Sequence, residues 1–135
     1  EAKASEFLAL HLDALRGGPR RSRELSGPDL VRVREAQERL LASLQDPPDV
    51  STLARQVGLT PKKLNAGFRQ LFGTTVFDYL LEARLQAARR LLDERPDVPL
   101  KQLAWSLGYS QVSNFVSAFR RRYGISPGSY RRGTR

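Results

Sequence analysis

The sequence holds no cysteine, no methionine and a single histidine, His11. Without cysteine there are no disulfides, no thiolate zinc sites and no cysteine nucleophile. A reducing, cytoplasmic setting fits that composition. His11 has no histidine or cysteine partner, so neither a metal nor a cofactor is expected. A glycine-rich phosphate loop, a paired-carboxylate arrangement and a nucleophile motif are all missing. An enzyme needs convergent titratable groups in a pocket, and none is suggested. No run of 18 apolar residues offers a membrane span, and no secretory signal is visible. The chain opens on Glu1 and lacks methionine, so it is expected to be a fragment or a processed product.

Acidic residues are also scarce in one part of the chain. Residues 1–46 carry eight Lys/Arg and eight Asp/Glu, whereas residues 47–135 carry fifteen and six. The whole net charge of +9 therefore lies in the C-terminal two-thirds. Such a field attracts polyanions and speeds encounter with them.

β-Branched residues are few and no stretch alternates apolar with polar, so the pattern predicts an all-α chain of eight helices. Ala2 to Arg16 carries Phe7, Leu8, Leu12 and Leu15 on one stripe and ends at Gly17-Gly18-Pro19. Arg20, Arg21 and Arg23 then form a basic linker. Ser26-Gly27-Pro28-Asp29 reads as a capping box opening a helix over Leu30 to Gln45, closed by Pro47-Pro48. A short helix over Ser51 to Val57 turns at Gly58, and Thr60-Pro61 opens another to Phe72. Thr75 to Asp78 is a second capping box, starting the longest helix, to Glu94. Helices over Leu100 to Leu107, Gln111 to Tyr123 and Ser126 to Tyr130 complete the set.

An internal repeat organises this pattern. Leu53-Ala54, Gly58 and Thr60 return as Leu103-Ala104, Gly108 and Ser110, offset by 50. Leu64, Phe68-Arg69 and Gly73 return as Phe115, Phe119-Arg120 and Gly124, offset by 51. The second unit has one extra residue in or just after its turn. Each unit, about 51–73 and 100–124, reads as helix, glycine turn, cap (Thr60 or Ser110) and second helix. That is the helix-turn-helix layout, whose second helix enters the DNA major groove. In the first such helix Lys62, Asn65, Ala66 and Arg69 share the outer face. Asn65 can pair with an adenine edge, Lys62 with guanine or phosphate, and Ala66 with a thymine methyl. Arg69 lies deeper and is expected on phosphate. In the second, Ser113, Asn114 and Ser117 face outward, Gln111 and Val112 lie at the mouth, and Arg120, Arg121 and Arg122 crowd the far end.

From about Ser26 to Arg132 the chain resembles the DNA-binding domain of the AraC/XylS family of transcription regulators. The resemblance rests on Leu53-Ala54 with Gly58-Leu59-Thr60, on the Phe77-to-Leu92 helix, and above all on Leu103-Ala104 through Gly108-Tyr109-Ser110, Phe119-Arg120, Tyr123 to Pro127, and Tyr130-Arg131. It implies two helix-turn-helix subdomains joined by one long linker helix, with an extra N-terminal helix here. It further implies sequence-specific binding to double-stranded DNA, activation of transcription, and two recognition helices in successive major grooves. Base contacts then fall to Lys62, Asn65, Ala66, Val112, Ser113, Asn114 and Ser117. Backbone contacts fall to Lys63, Arg69, Gln111, Arg120 and Arg121. Ala66, Val112 and Ser117 stand where relatives often carry longer polar residues, and Gly67 should soften its helix.

Residues 1–25 are expected to be the remnant of a sensor and dimerisation domain plus linker, with 26–135 as the DNA-binding domain. The stretch Glu1 to Leu10 is similar to the last sensor-side helix of regulators that respond to ferric siderophores; a generic amphipathic helix is the other reading. Implied partners are promoter DNA and RNA polymerase, with an effector bound by the absent N-terminal domain. The fragment is expected to be monomeric, and the regulator to sit in the cytoplasm on the nucleoid. The competing function is a helical protein-interaction module without DNA binding. An RNA-binding role lacks its aromatic stacking platform.

Overall fold

The computed structural model describes residues 24–133. The expected helix over Ala2 to Arg16, with His11 and the siderophore-regulator resemblance, lies outside them. Among the described residues there are seven helices and no strand: α1 (Gly27–Leu41), α2 (Val50–Val57), α3 (Pro61–Phe72), α4 (Val76–Glu94), α5 (Leu100–Ser106), α6 (Val112–Tyr123) and α7 (Pro127–Gly133).

Side-chain oxygens start most of them. Ser26 Oγ accepts the Asp29 N–H at 3.3 Å, Asp49 Oδ1 the Thr52 N–H at 2.8 Å, and Thr60 Oγ1 the Lys63 N–H at 3.1 Å. Each satisfies a backbone donor that the first turn leaves without an intrahelical partner. The Thr52 hydrogen bonds also hold the Asp49 carboxyl below its ordinary range. The Asp29 carboxylate of the Ser26 box lies 3.8 Å from Lys63 Nζ. Ser110 does not cap α6. Gln111 is the N-cap, without a side-chain cap bond, because the extra residue of the second unit falls between Ser110 and the helix.

The helix expected to reach Gln45 stops at Leu41. Pro47 and Pro48 have no N–H, so a longer helix would leave the carbonyls of Ser43 and Leu44 without partners. Leu44 O instead accepts from Arg84 Nε at 3.0 Å.

The chain forms two compact units. Residues 24–42 with 48–80 make the first, and 43–47 with 81–133 the second; α4 contributes to both. In the first, Val33, Ala36 and Leu40 of α1 are buried with Leu53, Ala54 and Val57 of α2 and Leu64, Phe68 and Leu71 of α3. Leu25 belongs here too, its N–H donating to Gln70 Oε1 at 3.0 Å, so this unit begins ahead of Ser26. The second unit buries Leu85, Ala88 and Leu92 of α4 with Leu103, Ala104, Phe115 and Phe119, and Leu44 packs against that cluster.

Tyr109 and Tyr123 border this second core. Each phenol oxygen is buried without a hydrogen-bond partner among the described residues. Burial raises both phenol pKa values; Arg84 opposes this at Tyr109, and Arg89 chiefly at Tyr123. A raised folded-state pKa means the native state favours the neutral phenol. That contribution is intact below the unfolded value of about 10 and is lost as pH climbs through the folded one. Tyr109→Phe and Tyr123→Phe are therefore expected to change stability at neutral pH by less than about 1 kcal/mol, because no protein hydrogen bond is lost. They should also delay alkaline unfolding. Denaturant titrations at pH 7 and pH 10.5 (about half a unit above the phenol reference) test this. A loss above about 2 kcal/mol at pH 7 would show that the hydroxyl has a structural partner.

Candidate nucleic-acid interface

Each unit holds one helix-turn-helix. In the first, α2 ends at Gly58, whose φ of 80° places it in the left-handed region. Glycine adopts that conformation without the Cβ clash that other residues meet. The Leu59 N–H returns to Ala54 O at 2.9 Å, and the chain redirects into α3. The second unit repeats this with Gly108 at φ 97° and the Tyr109 N–H on Ala104 O at 3.0 Å.

α3 and α6 are both 12 residues long and start 51 residues apart. Their inner faces match, with Leu64 and Phe68 answered by Phe115 and Phe119, all fully buried. Their outer faces match as well. Lys62, Ala66 and Arg69 occupy the same register as Ser113, Ser117 and Arg120, in steps of four and three. Such steps keep side chains on one side of a helix.

The expected contact residues divide as follows. Lys62, Lys63 and Arg69 are exposed and Ala66 is half-buried on α3. Gln111, Val112, Ser113, Asn114, Ser117, Arg120 and Arg121 are exposed on or at the start of α6. Lys63 lies 3.8 Å from Asp29, a long pairing between an exposed ammonium and a half-buried carboxylate. Arg122 is drawn off the outer face: its Nε and Nη2 donate to the two Glu82 carboxylate oxygens at 2.8 Å each, beside the Tyr123 ring.

Asn65 departs from expectation. It is half-buried, and its Oδ1 accepts the Val76 N–H at 2.9 Å. A bidentate adenine contact uses the amide oxygen as well as the nitrogen, and here that oxygen is turned to the first turn of α4, with one of its two lone pairs engaged there.

Gly67 has a packing reason that sequence reading missed. A Cβ there would strike the Val33 and Leu25 side chains. The helix-propensity cost of glycine, about 1 kcal/mol, is accepted so that α1 and the segment before it can lie close against α3.

Each unit also has an open groove between its first helix and the start of its second. In the first unit it is about 600 Å³, lined by Arg32, Ser51, Arg55, Thr60 and Lys63 among others. In the second it is about 350 Å³, lined by Lys101, Gln102, Trp105, Ser110 and Val112 among others. Arg55 and Trp105 occupy one repeat position, offset by 50, and both are exposed. Neither was singled out from the sequence, although the offset pairs them. No helix among the described residues is long and apolar enough to cross a membrane.

A family model described as a helix-turn-helix domain matches residues 53–133. The regulatory protein PchR of Pseudomonas aeruginosa is 44% identical over 99 residues, covering 71% of this chain and 33% of that protein. The arabinose operon regulatory protein of Escherichia coli is 30% identical over 137 aligned residues, covering 98% of this chain and 47% of its own length. The chain thus spans a third to a half of these relatives. Among solved structures, an AraC-type regulator from Chromobacterium violaceum has a TM-score of 0.70 at 30% identity, over 74% of this chain and 88% of that one. The DNA-binding domain of AdpA, solved in complex with a target DNA, also has a TM-score of 0.70, at 29% identity over 76% and 92%. Fold, repeat and relatives agree: the chain belongs to the AraC/XylS family of transcription regulators, as its C-terminal DNA-binding domain.

Proposed function

We propose that this chain is the promoter-reading module of a longer transcription activator. It docks by placing α3 and α6 in successive major grooves of double-stranded DNA. The observation that carries this reading is the shared outward register of the two helices, Lys62/Ala66/Arg69 and Ser113/Ser117/Arg120, each with an arginine at its far end. Ala66, Val112, Ser113, Asn114 and Ser117 then meet base edges, and Lys62 reaches both a base edge and the flanking phosphate. Lys63, Arg69, Gln111, Arg120 and Arg121 meet the backbone. Phosphate contacts position a protein on the duplex, and base contacts specify the sequence. Relatives about twice as long support an effector-binding domain elsewhere in the full protein. RNA polymerase is the proposed partner in activation.

Selection of preferred sites from random duplexes, followed by footprinting, tests the reading. The expected result is an asymmetric site protected over about two helical turns, roughly 20 base pairs. A one-turn footprint would mean that a single unit engages. A chain that enriches no sequence and binds no duplex would instead be a protein-interaction module.

A further inference from the structure

The repeat extends beyond the recognition helices. Gly73, Thr75 and Tyr79 return at the same offset of 51 as Gly124, Ser126 and Tyr130. The geometry returns with them. Thr75 Oγ1 accepts the Asp78 N–H at 3.2 Å, and Ser126 Oγ accepts the Ser129 N–H at 3.1 Å. Tyr79 packs its ring 5.3 Å from Phe68, and Tyr130 lies 5.8 Å from Phe119. The start of α4 and the start of α7 are therefore the same structural position in the two units, each beside its own recognition helix.

One pair differs within this shared frame. Val76, the first residue of α4, corresponds to Pro127, the first residue of α7. Asn65 corresponds to Val116. The first residue of a helix has an N–H that no residue in the helix can accept. At Val76, which is 3% exposed, that donor is taken by Asn65 Oδ1 at 2.9 Å. At Pro127 there is no N–H to satisfy. The position that corresponds to Asn65 is apolar, and Val116 packs against the second core. The two units solve one problem in two ways: a donor with an acceptor, or neither. Position 65 is therefore on the inward-leaning flank of its helix, where its counterpart is half-buried against the core.

We propose that Asn65 is a positioning residue, which fastens recognition helix α3 to the first turn of α4, and that it does not read a base. This refines the proposed function. Direct readout by the first unit then falls to Lys62 and Ala66, with Asn65 setting how firmly their helix is held.

The test transplants the second unit's solution into the first. Asn65→Val leaves the Val76 N–H buried and unsatisfied, and is expected to lower Tm by about 5 °C or more. Adding Val76→Pro removes the donor, so the double variant should recover most of that loss, a non-additive cycle. Asn65→Asp keeps the acceptor and places a negative charge at a helix start, so its Tm should stay at the wild-type value or above. On duplexes from the site selection, the double variant should keep the wild-type preference at every base pair.

The proposal is overturned if Asn65→Val melts like the wild type, or if Asn65→Asp melts as low as Asn65→Val. It is also overturned if the double variant recovers stability but relaxes preference at one base pair, which would mark a base reader. Failure of the DNA-binding reading is distinct: the wild-type chain would bind no duplex, while the melting comparisons would still decide the role of Asn65.

Discussion

Raising salt from 50 to 200 mM is expected to weaken binding to a preferred duplex by about five hundredfold. The figure comes from counting cations that can reach phosphate. Lys62, Lys63, Arg69, Arg120 and Arg121 are exposed along or beside the two outer faces. Arg122 is left out because Glu82 holds it in a bidentate pair. Each neutralised phosphate contributes about 0.9 to the log–log slope, so five contacts give a slope near −4.5. Arg69→Ala and Arg120→Ala should each reduce the slope by about one and weaken all duplexes alike. Lys62→Ala should in addition relax preference where it meets a base. Fluorescence anisotropy at four salt concentrations, on selected and random duplexes, gives all these quantities. A slope near zero would remove the DNA-binding reading, since the net charge of +9 would then have no polyanion to answer it.

The helix-turn-helix pair was legible in the sequence because its punctuation is chemical. Gly58 and Gly108 are where left-handed backbone is needed, and both adopt it. Thr60 and Pro61 mark the start of α3 by residue type, and Thr60 makes the cap bond. Leu64, Phe68, Phe115 and Phe119 face inward as their spacing predicts. What escaped the sequence depends on neighbours brought in from elsewhere. Nothing local shows that the Leu44 carbonyl will be taken by Arg84, which draws residues 43–47 into the second unit. Asn65 looks outward by helical periodicity alone, since residues 62, 65, 66 and 69 share a broad face. Its inward lean follows from the backbone donor at Val76, eleven residues away. The signal for it in the sequence is the second unit's pair at the same offset, Val116 and Pro127. Gly67 misleads in the opposite sense, because its reason is the closeness of Val33 and Leu25 rather than flexibility.

The repeat also brings out an asymmetry between the two turn glycines, and it carries the second large effect. Gly58→Ala is expected to be tolerated at a cost of about 1–2 kcal/mol, the penalty for an L-residue in left-handed backbone. A Cβ there would meet only the end of the Arg32 side chain, at 3.4 Å, which can move aside. Gly108→Ala should cost about 3 kcal/mol or more, because overpacking adds about 1–3 kcal/mol to the same penalty. Its Cβ would stand 2.8 Å from the Leu44 carbonyl oxygen, which is backbone, and would also strike the Arg84 guanidinium. Those two groups are bonded to each other at 3.0 Å. Neither can retreat without leaving the Leu44 carbonyl, which has no helical donor beyond it, in search of another partner. Far-UV circular dichroism melts should show Gly108→Ala losing about 10 °C or more, and Gly58→Ala roughly half of that or less. Equal losses for the two variants would mean that the Leu44–Arg84 bond yields easily, and that residues 43–47 contribute little to holding the second turn.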